Sequence, residues 1–275
     1  MSPDARREFF LHIVLISVLS VLLFPLAFAL SNSFKTLSDA YSSVGELIPS
    51  RPTLENYIHV FSRLDIARIT FNTLFIAVIA AVFKVATSVL SAYAFTAYEF
   101  EGKNALYFVI ISTMFIPFNV TMLPNYLTIS SLGLDDALIG VALPQLADAT
   151  GIFLIRQSMK TIPKSIIEAA AMENKSRFGI LRDIVIPLTR PAIMSVGIIF
   201  FINSWNEYVW PVLMLKSRSN FTLSLALQMY ISSEGGTEFT VAMAVSVLTM
   251  LVPLTLYLIF QKFIISTFTS SGVKE

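Results

Sequence analysis

The sequence has no cysteine, and only two of its 275 residues are histidines. Disulfide frameworks, thiol nucleophiles and cysteine-based metal sites are therefore excluded. No HExxH, GxSxG or GxxxxGK[ST] motif occurs, so the chain shows no catalytic machinery and no P-loop for ATP. Charged residues make up 13% of the chain, against about 25% in soluble domains. The net charge of +1 gives no electrostatic reason to expect nucleic-acid binding.

Apolar residues dominate the composition, at 55% with a mean hydropathy of +0.74. This composition predicts an all-α polytopic membrane protein. Six apolar runs are long enough for the hydrocarbon core of a bilayer, which is about 30 Å thick. The predicted spans are Phe9–Leu30, Ile69–Ala97, Leu106–Leu123, Ala137–Ile155, Ala192–Leu215 and Val241–Phe260. Pro117 and Pro124 are expected to break the third span.

The distribution of lysine and arginine predicts the orientation of these spans. With both termini inside, twelve basic residues fall on the inner side and six on the outer side, and Lys84 lies within a span. Cytoplasmic loops carry the excess of positive charge in membrane proteins. We therefore expect both termini to be cytoplasmic, together with the long polar interruption Arg156–Pro191.

This interruption predicts two short helices joined by a break. Pro163 can open the first helix, expected at Ser165–Met172, because its missing N–H has no partner in the first turn of a helix. Ser165 followed by Glu168 fits a capping box. Asn174 tolerates the left-handed conformation that ends helices, so it is the predicted break. A second helix is expected from residue 176 to residue 186, stopped by a proline at position 187.

The motif in this interruption resembles the EAA loop of ABC importer permeases. The matching residues are Glu168, Ala169, Ala170, Glu173, Asn174, Ile184, Pro187 and Pro191. In that family the loop forms two cytoplasmic helices that sit in a groove of the ATPase subunit and transmit its closure. The resemblance implies that Glu168 orients the coupling helix and that Ala169 and Ala170 pack into the ATPase groove. Glu173-Asn174 stands where the family usually has Asp-Gly, and Asn turns the chain at a higher conformational cost than Gly.

Three further stretches are similar to carbohydrate-type permeases of the maltose and glycerol-3-phosphate importers. They are Gly151–Pro163, Ser204–Leu215 and the tail Ser266–Glu275. The resemblance implies the type I importer permease fold in a bacterial-type inner membrane. It implies an N-terminal span and external loop over residues 1–68, a transmembrane domain over 69–265 with its coupling loop at 156–190, and a cytoplasmic tail over 266–275.

The same resemblance implies the partners of the chain. They are a homologous second permease subunit, two ATPase subunits, an extracytoplasmic solute-binding protein and membrane lipid, without nucleic acid. This chain would bind no cofactor, because ATP and Mg would be used by the partner ATPase.

Polar side chains inside predicted spans are candidates for the solute path, because such groups are costly in a bilayer. Lys84 lies near the middle of the second span, in a stretch that resembles glycerol-3-phosphate permeases, and an ammonium suits a phosphate. Alternatively, Lys84 snorkels or pairs with a carboxylate of the partner permease. Asp148 is another possible partner across the bundle.

A polar and aromatic cluster in the fifth span gives the remaining path candidates: Asn203, Asn206 and Glu207, with Trp205 and Trp210 beside them. Amides and aromatic faces suit the recognition of sugar hydroxyls and rings. Alternatively, the tryptophans belong to an interfacial belt and the amides bind neighbouring helices.

Taken together, the residues and the resemblance predict a permease subunit of a binding-protein-dependent importer for a carbohydrate or sugar-like solute, with sn-glycerol-3-phosphate or a related phosphate as the first choice. The alternative is a stand-alone secondary transporter or channel, which needs intramembrane carboxylates, and only Asp148 and Glu207 qualify. A membrane enzyme is a third possibility that lacks any catalytic constellation.

Overall fold

The computed structural model describes residues 3–43, 45–231 and 238–269, with side chains described from residue 7 to residue 262 within these ranges. All regular structure in these residues is helical, which confirms the predicted all-α class. Close contacts divide the chain into one unit of residues up to 66 with 226–251 and a second unit of residues 67–225 with those from 252. The predicted domain boundaries at residues 68 and 265 stay a prediction, and residues 270–275 of the predicted tail lie outside the described residues.

The chain forms fourteen α-helices in the described residues, together with three 3-10 turns and one π turn. The helices are α1 (Pro3–Ser33), α2 (Leu37–Ser42), α3 (Glu55–Arg63), α4 (Ile66–Ala97), α5 (Lys103–Ser112), α6 (Phe118–Ser131), α7 (Leu138–Ala142), α8 (Ala149–Lys160), α9 (Lys164–Met172), α10 (Arg177–Ile180), α11 (Ile186–Asn206), α12 (Val209–Met214), α13 (Leu223–Ile231) and α14 (Phe239–Thr269). The 3-10 turns are Thr113–Phe115, Leu143–Gln145 and Arg218–Asn220, and the π turn is Leu181–Val185.

Four helical segments are long and apolar enough to cross a membrane: Arg7–Ser33, Ile66–Ala97, Arg177–Asn206 and Phe239–Lys262. Two further candidates are bent pairs. The segment Lys103–Phe115 meets α6 at 99°, and Leu138–Gln145 meets α8 at 47°. The described chain therefore holds four to six candidate spans, and it reaches the predicted six when each bent pair counts as one span.

Proline and glutamate side chains explain where two predicted spans break. Pro117 precedes α6 in an extended conformation, and its missing N–H cannot continue the preceding helix. Pro124 lies inside α6 instead of breaking it. The fifth span, predicted to run to Leu215, ends as a helix at Asn206, because Glu207 is extended and its carboxylate accepts the Val209 and Trp210 N–H groups that start α12.

The prediction that Pro187 stops a helix is wrong. Pro187 lies in the first turn of α11, and the helix continues past Pro191 to Asn206. The π turn Leu181–Val185 comes immediately before, and the N–H of Ile186 donates to the carbonyl of Leu181, five residues back. A proline in a first helical turn loses no intrahelical hydrogen bond, so the chain can pass from the π turn into a long helix without a stop.

In the first unit, a buried lysine ties down the segment after α1. Lys35 is almost completely buried, and its Nζ donates to the carbonyls of Ser43 at 3.0 Å and Glu46 at 2.6 Å. The Asn56 amide on α3 donates to the carbonyls of Ser33 and Lys35, both at 2.8 Å. Backbone carbonyls thus satisfy a cation that the sequence analysis counted as an ordinary loop charge.

In the second unit, the core cluster lies where α4, α6, α7 and α12 meet. Its buried members are Ile76, Ile129, Val141, Trp210, Met214, Leu215 and Leu225. The Trp210 ring also lies edge-on to Phe118, with 6.2 Å between the ring centroids. Trp205 and Trp210 are both almost completely buried inside the chain, so they are core residues and not surface members of an interfacial belt.

Candidate functional site

The EAA segment forms the helix α9 and ends in a left-handed turn. Asn174 has φ 57°, so the predicted break at this residue is confirmed. The N–H of Lys175 donates to the Ala170 carbonyl at 3.2 Å, and the N–H of Asn174 donates to the Ala171 carbonyl at 3.1 Å. This pair of bonds is the Schellman arrangement, which satisfies carbonyls that a helix end would otherwise leave open.

The predicted capping box is wrong. Pro163 is the N-cap of α9 and Ser165 lies inside the helix, so no side chain caps this N-terminus. The second arm has a side-chain cap instead, because the Ser176 hydroxyl accepts the Gly179 N–H at 3.1 Å. We call residues 164–185, from α9 through α10 and the π turn, the coupling hairpin, after the role that the resemblance to the EAA loop implies.

Exposure differs sharply along the coupling hairpin. Glu168 and Ala169 are exposed, whereas Ala170 is only 6% exposed within this chain. Met172 is 85% exposed and Phe178 is 68% exposed. The resemblance implies that Ala170 packs against an ATPase, but the structure buries Ala170 in its own chain and leaves Met172 and Phe178 as large apolar side chains open to a partner.

The second arm of the coupling hairpin is bound to the end of α4. The Tyr93 hydroxyl donates to the Arg177 carbonyl at 2.8 Å, and the Arg177 guanidinium donates to the Ala97 carbonyl at 2.8 Å. The guanidinium also stacks on Tyr98, 5.0 Å from the ring centroid. The sequence does not predict this attachment, because the partners lie about eighty residues apart and a single sequence gives no signal that pairs them.

Lys84 and Asp148 come together in the second unit. Lys84 is 9% exposed, with its Nζ 3.9 Å from the Asp148 carboxylate and 5.3 Å from the centroid of the Phe200 ring. The other Asp148 oxygen accepts the N–H groups of Thr150 and Gly151 at the start of α8. Asp148 therefore fixes a helix end and lies at ion-pair distance from Lys84, so a carboxylate partner is present on the same chain.

Gly151 lets α8 approach α4 and α11 closely at this pair. A Cβ on Gly151 would overlap the Ser88 hydroxyl oxygen and lie 2.6 Å from the Phe200 ring, closer than packing allows. The Ser88 hydroxyl is buried without a hydrogen-bond partner in the part of the chain that the structure describes. The buried cation thus lies beside a polar group with unused bonding capacity.

The predicted path residues of the fifth span lie at the end of α11. Asn203 and Asn206 are exposed, and neither side chain makes a hydrogen bond to any of the described residues. Glu207 is partly buried and caps α12 at 2.9 Å from the Val209 nitrogen. The structure therefore makes Glu207 a helix cap and leaves the two amide side chains exposed.

Asp136, between α6 and α7, anchors the segment after α12. Its carboxylate accepts the Lys216 N–H at 2.9 Å, the Ser217 N–H at 3.0 Å and the Ser217 hydroxyl. The Asn220 amide donates to the Asp136 carbonyl at 2.6 Å. Desolvation raises the pKa of Asp136, but the hydrogen bonds outweigh it and lower the pKa to about 2. No metal cluster of three or more His, Asp or Glu side chains occurs among the described residues.

Residues 87–269 match the family described as "Binding-protein-dependent transport system inner membrane component". The chain is 30% identical over 262 residues to the sn-glycerol-3-phosphate transport system permease protein UgpE of Rhizobium meliloti, covering 92% of this chain and 93% of that protein. It is 29% identical over 257 residues to the arabinooligosaccharides transport system permease protein AraQ of Halalkalibacterium halodurans, covering 92% of each.

Two solved structures share the fold. One is a chain of a bacterial ABC transporter involved in the import of the acidic polysaccharide alginate, with a TM-score of 0.82, 25% identity and coverage of 95% of this chain and 98% of that one. The other is a chain of a bacterial alginate ABC transporter in complex with alginate pentasaccharide-bound periplasmic protein, with a TM-score of 0.68, 14% identity and coverage of 94% of each. The chain belongs to the family of inner-membrane components of binding-protein-dependent transport systems.

Proposed function

We propose that this chain is one permease subunit of an ATP-driven importer for a sugar or sugar-like solute, with sn-glycerol-3-phosphate as the first candidate. The observation that carries the proposal is the coupling hairpin, which exposes Met172 and Phe178 and is fixed to α4 through Arg177. An exposed apolar surface on the hairpin fits the groove of a partner protein. The attachment of the hairpin to α4 lets a movement of that partner reach a membrane helix.

The mechanism follows from this attachment. ATPase subunits that close on ATP would draw the coupling hairpin inward, on the side that the basic residues predict to be cytoplasmic. Arg177 and Tyr93 would transmit the movement to α4, and Lys84 lies on that helix about two and a half turns before Tyr93. Closure at the hairpin would thereby change the surroundings of the buried Lys84.

The proposed partners are a homologous permease chain, two ATPase subunits and an extracytoplasmic solute-binding protein. Support for the last comes from the similar structure whose complex includes a periplasmic protein. Residues 7–27 of α1 are exposed within this chain, so their apolar surface is available to lipid or to a second permease.

The choice of a phosphorylated solute depends on Lys84. Lys84 Nζ lies 3.9 Å from the Asp148 carboxylate, and a phosphate carrying more charge than one carboxylate would compete for the ammonium. The relatives that transport sn-glycerol-3-phosphate support this choice by their similarity, whereas the arabinooligosaccharide permease supports a neutral sugar.

Purification with a tag on this chain, from native membranes in mild detergent, tests the proposal. We expect a second permease and a Walker-motif ATPase in stoichiometric amounts. Variants Met172→Asp and Phe178→Asp should lose the ATPase and keep the second permease, because only the hairpin surface changes. Arg63→Ala, on α3, is the matched control and should keep both. Recovery of a chain that is alone, stable and able to transport without ATP would contradict the proposal and support a secondary transporter.

A further inference from the structure

A second feature with binding chemistry lies next to the coupling hairpin. A cavity of about 410 Å³ opens where the ends of α4 and α8 meet the starts of α5 and α9. Six charged side chains line it: Glu99, Lys103, Arg156, Lys160, Lys164 and Glu168. The end of α4 and apolar side chains form the rest of the wall. This volume falls in the range of about 300–1,000 Å³ that is usual for small-ligand sites.

Arg156 is a buried cation with no ion-pair partner among the described residues. It is 9% exposed, its Nε donates to the Phe95 carbonyl at 3.5 Å, and its guanidinium lies 3.9 Å from the centroid of the Tyr107 ring. No carboxylate lies within ion-pair distance of Arg156 in the described chain, and its two terminal nitrogens have no acceptor there. Buried guanidinium groups are normally paired with anions, so an unpaired one on a cavity wall indicates an incomplete site.

The charge of the cavity also favours an anion. Lys103 is held by Glu99 at 3.0 Å and by the Tyr98 carbonyl at 2.7 Å, so this pair is neutral. Lys160 and Lys164 are exposed and form no ion pair with described residues. Glu168 carries the one lining carboxylate without an ion pair to described residues. Together with the two lysines and Arg156, it leaves the cavity an excess of two positive charges.

We propose that this cavity binds a phosphate-bearing anion, with the Arg156 guanidinium against the phosphate and Lys160 and Lys164 at the rim. A planar guanidinium binds two phosphate oxygens at once, and the lysines add charge without fixed geometry. The apolar part of the wall suits a phosphate attached to a small organic group. That group belongs either to the headgroup of an anionic phospholipid or to a free phosphate ester.

Thermal unfolding of the purified full chain, with its co-purifying subunits, measures this binding, because a ligand that binds only the folded state raises the midpoint. The probes are dioctanoyl phosphatidylglycerol, dioctanoyl phosphatidylcholine, inorganic phosphate and glycerol-3-phosphate. The double variant Lys160→Gln/Lys164→Gln changes only exposed side chains. This variant should weaken probe binding about tenfold, because it removes two partly exposed charge contacts. Arg156→Lys keeps the charge, loses the planar fork and should also weaken binding.

Lys175→Gln is the matched control. Lys175 belongs to the coupling hairpin but pairs with Asp183 at 3.0 Å outside the cavity, so its loss should leave probe binding unchanged. Stabilisation by phosphatidylglycerol alone identifies a lipid headgroup as the ligand, and stabilisation by inorganic phosphate or glycerol-3-phosphate identifies a free anion. Either result supports the proposal if the lysine variants weaken it.

Three outcomes would overturn the proposal. They are no stabilisation by any probe, equal stabilisation in wild type and lysine variants, and stabilisation that occurs in the Met172→Asp or Phe178→Asp preparation without ATPase but not in the complete complex. In the last case the Arg156 anion would be a carboxylate of the ATPase. The measurement involves no transport, so its failure is distinct from failure of the importer function.

Discussion

Substitution of Arg177 by Ala tests whether the coupling hairpin drives α4. The change removes the hydrogen bond from the guanidinium to the Ala97 carbonyl and the stacking on Tyr98. Arg177 is exposed, so the two contacts together contribute about 1.5 kcal/mol. Their loss should weaken the attachment of the hairpin to α4 about tenfold. The Tyr93 hydroxyl still binds the backbone carbonyl of residue 177, so the double variant with Tyr93→Phe should lose about 1 kcal/mol more.

The assay is the reconstituted transporter in proteoliposomes, with solute uptake and ATP hydrolysis measured in the same sample. We expect the transporter with Arg177→Ala to hydrolyse ATP at near the normal rate, while its solute uptake per ATP falls several-fold. Uptake per ATP should fall further in the double variant. Arg182→Ala is the control, because Arg182 is on the same hairpin, its side chain is 76% exposed and its one ion pair among the described residues is with its neighbour Asp183. Normal uptake per ATP in the double variant, or an equal loss in Arg182→Ala, would refute the transmission through Arg177.

Four further predictions concern single sites. Lys84→Met should reduce uptake of glycerol-3-phosphate much more than uptake of a neutral sugar, and unchanged phosphate uptake would remove Lys84 from recognition. Glu168→Lys should block uptake without preventing membrane insertion, as measured by transport and by Western blot of membrane fractions, and normal transport would exclude its coupling role. Asp136→Ala should lower stability by about 1 kcal/mol at pH 7 after solvent screening. Because the folded pKa is about 2, below the 3.8 of the free side chain, that difference should shrink as the pH falls from 4 towards 2, and a difference independent of pH would contradict it. Gly151→Ala should destabilise the protein by about 2 kcal/mol through overpacking, whereas Gly197→Ala, whose Cβ would lie 3.3 Å from Val85, should cost much less, and equal unfolding midpoints would refute the close approach.

The predictions from the sequence succeeded where local chemistry decides the structure. The all-α class follows from long apolar runs, and the break at Asn174 follows from the residue types that tolerate a left-handed turn. The family also follows from a local motif, since the residues around Glu168 stand at fixed spacing. These features depend on residues that lie close together in the sequence.

The sequence-based predictions were wrong where two local rules favour different conformations of the same residues. Pro163 and Ser165 both fit the start of a helix, and the chain uses the proline, so the capping box does not form. Pro187 can either stop a helix or lie in the first turn of one, and the preceding π turn places it in the first turn of α11. The sequence places Glu207 as a polar residue inside a span, but in the structure its carboxylate caps the start of α12. In each case a neighbouring segment selects between conformations that the residue alone allows.

The sequence by itself determined that this chain is a helical membrane protein with an EAA hairpin, because composition and spacing are local properties. Only the tertiary structure decided which groups meet. It brought Lys84 to Asp148 and Arg177 to the end of α4, and it placed Ala170 inside the chain and Met172 outside. These pairs lie 64 to 80 positions apart, and the packing of whole helices sets their distances, which no single residue type encodes.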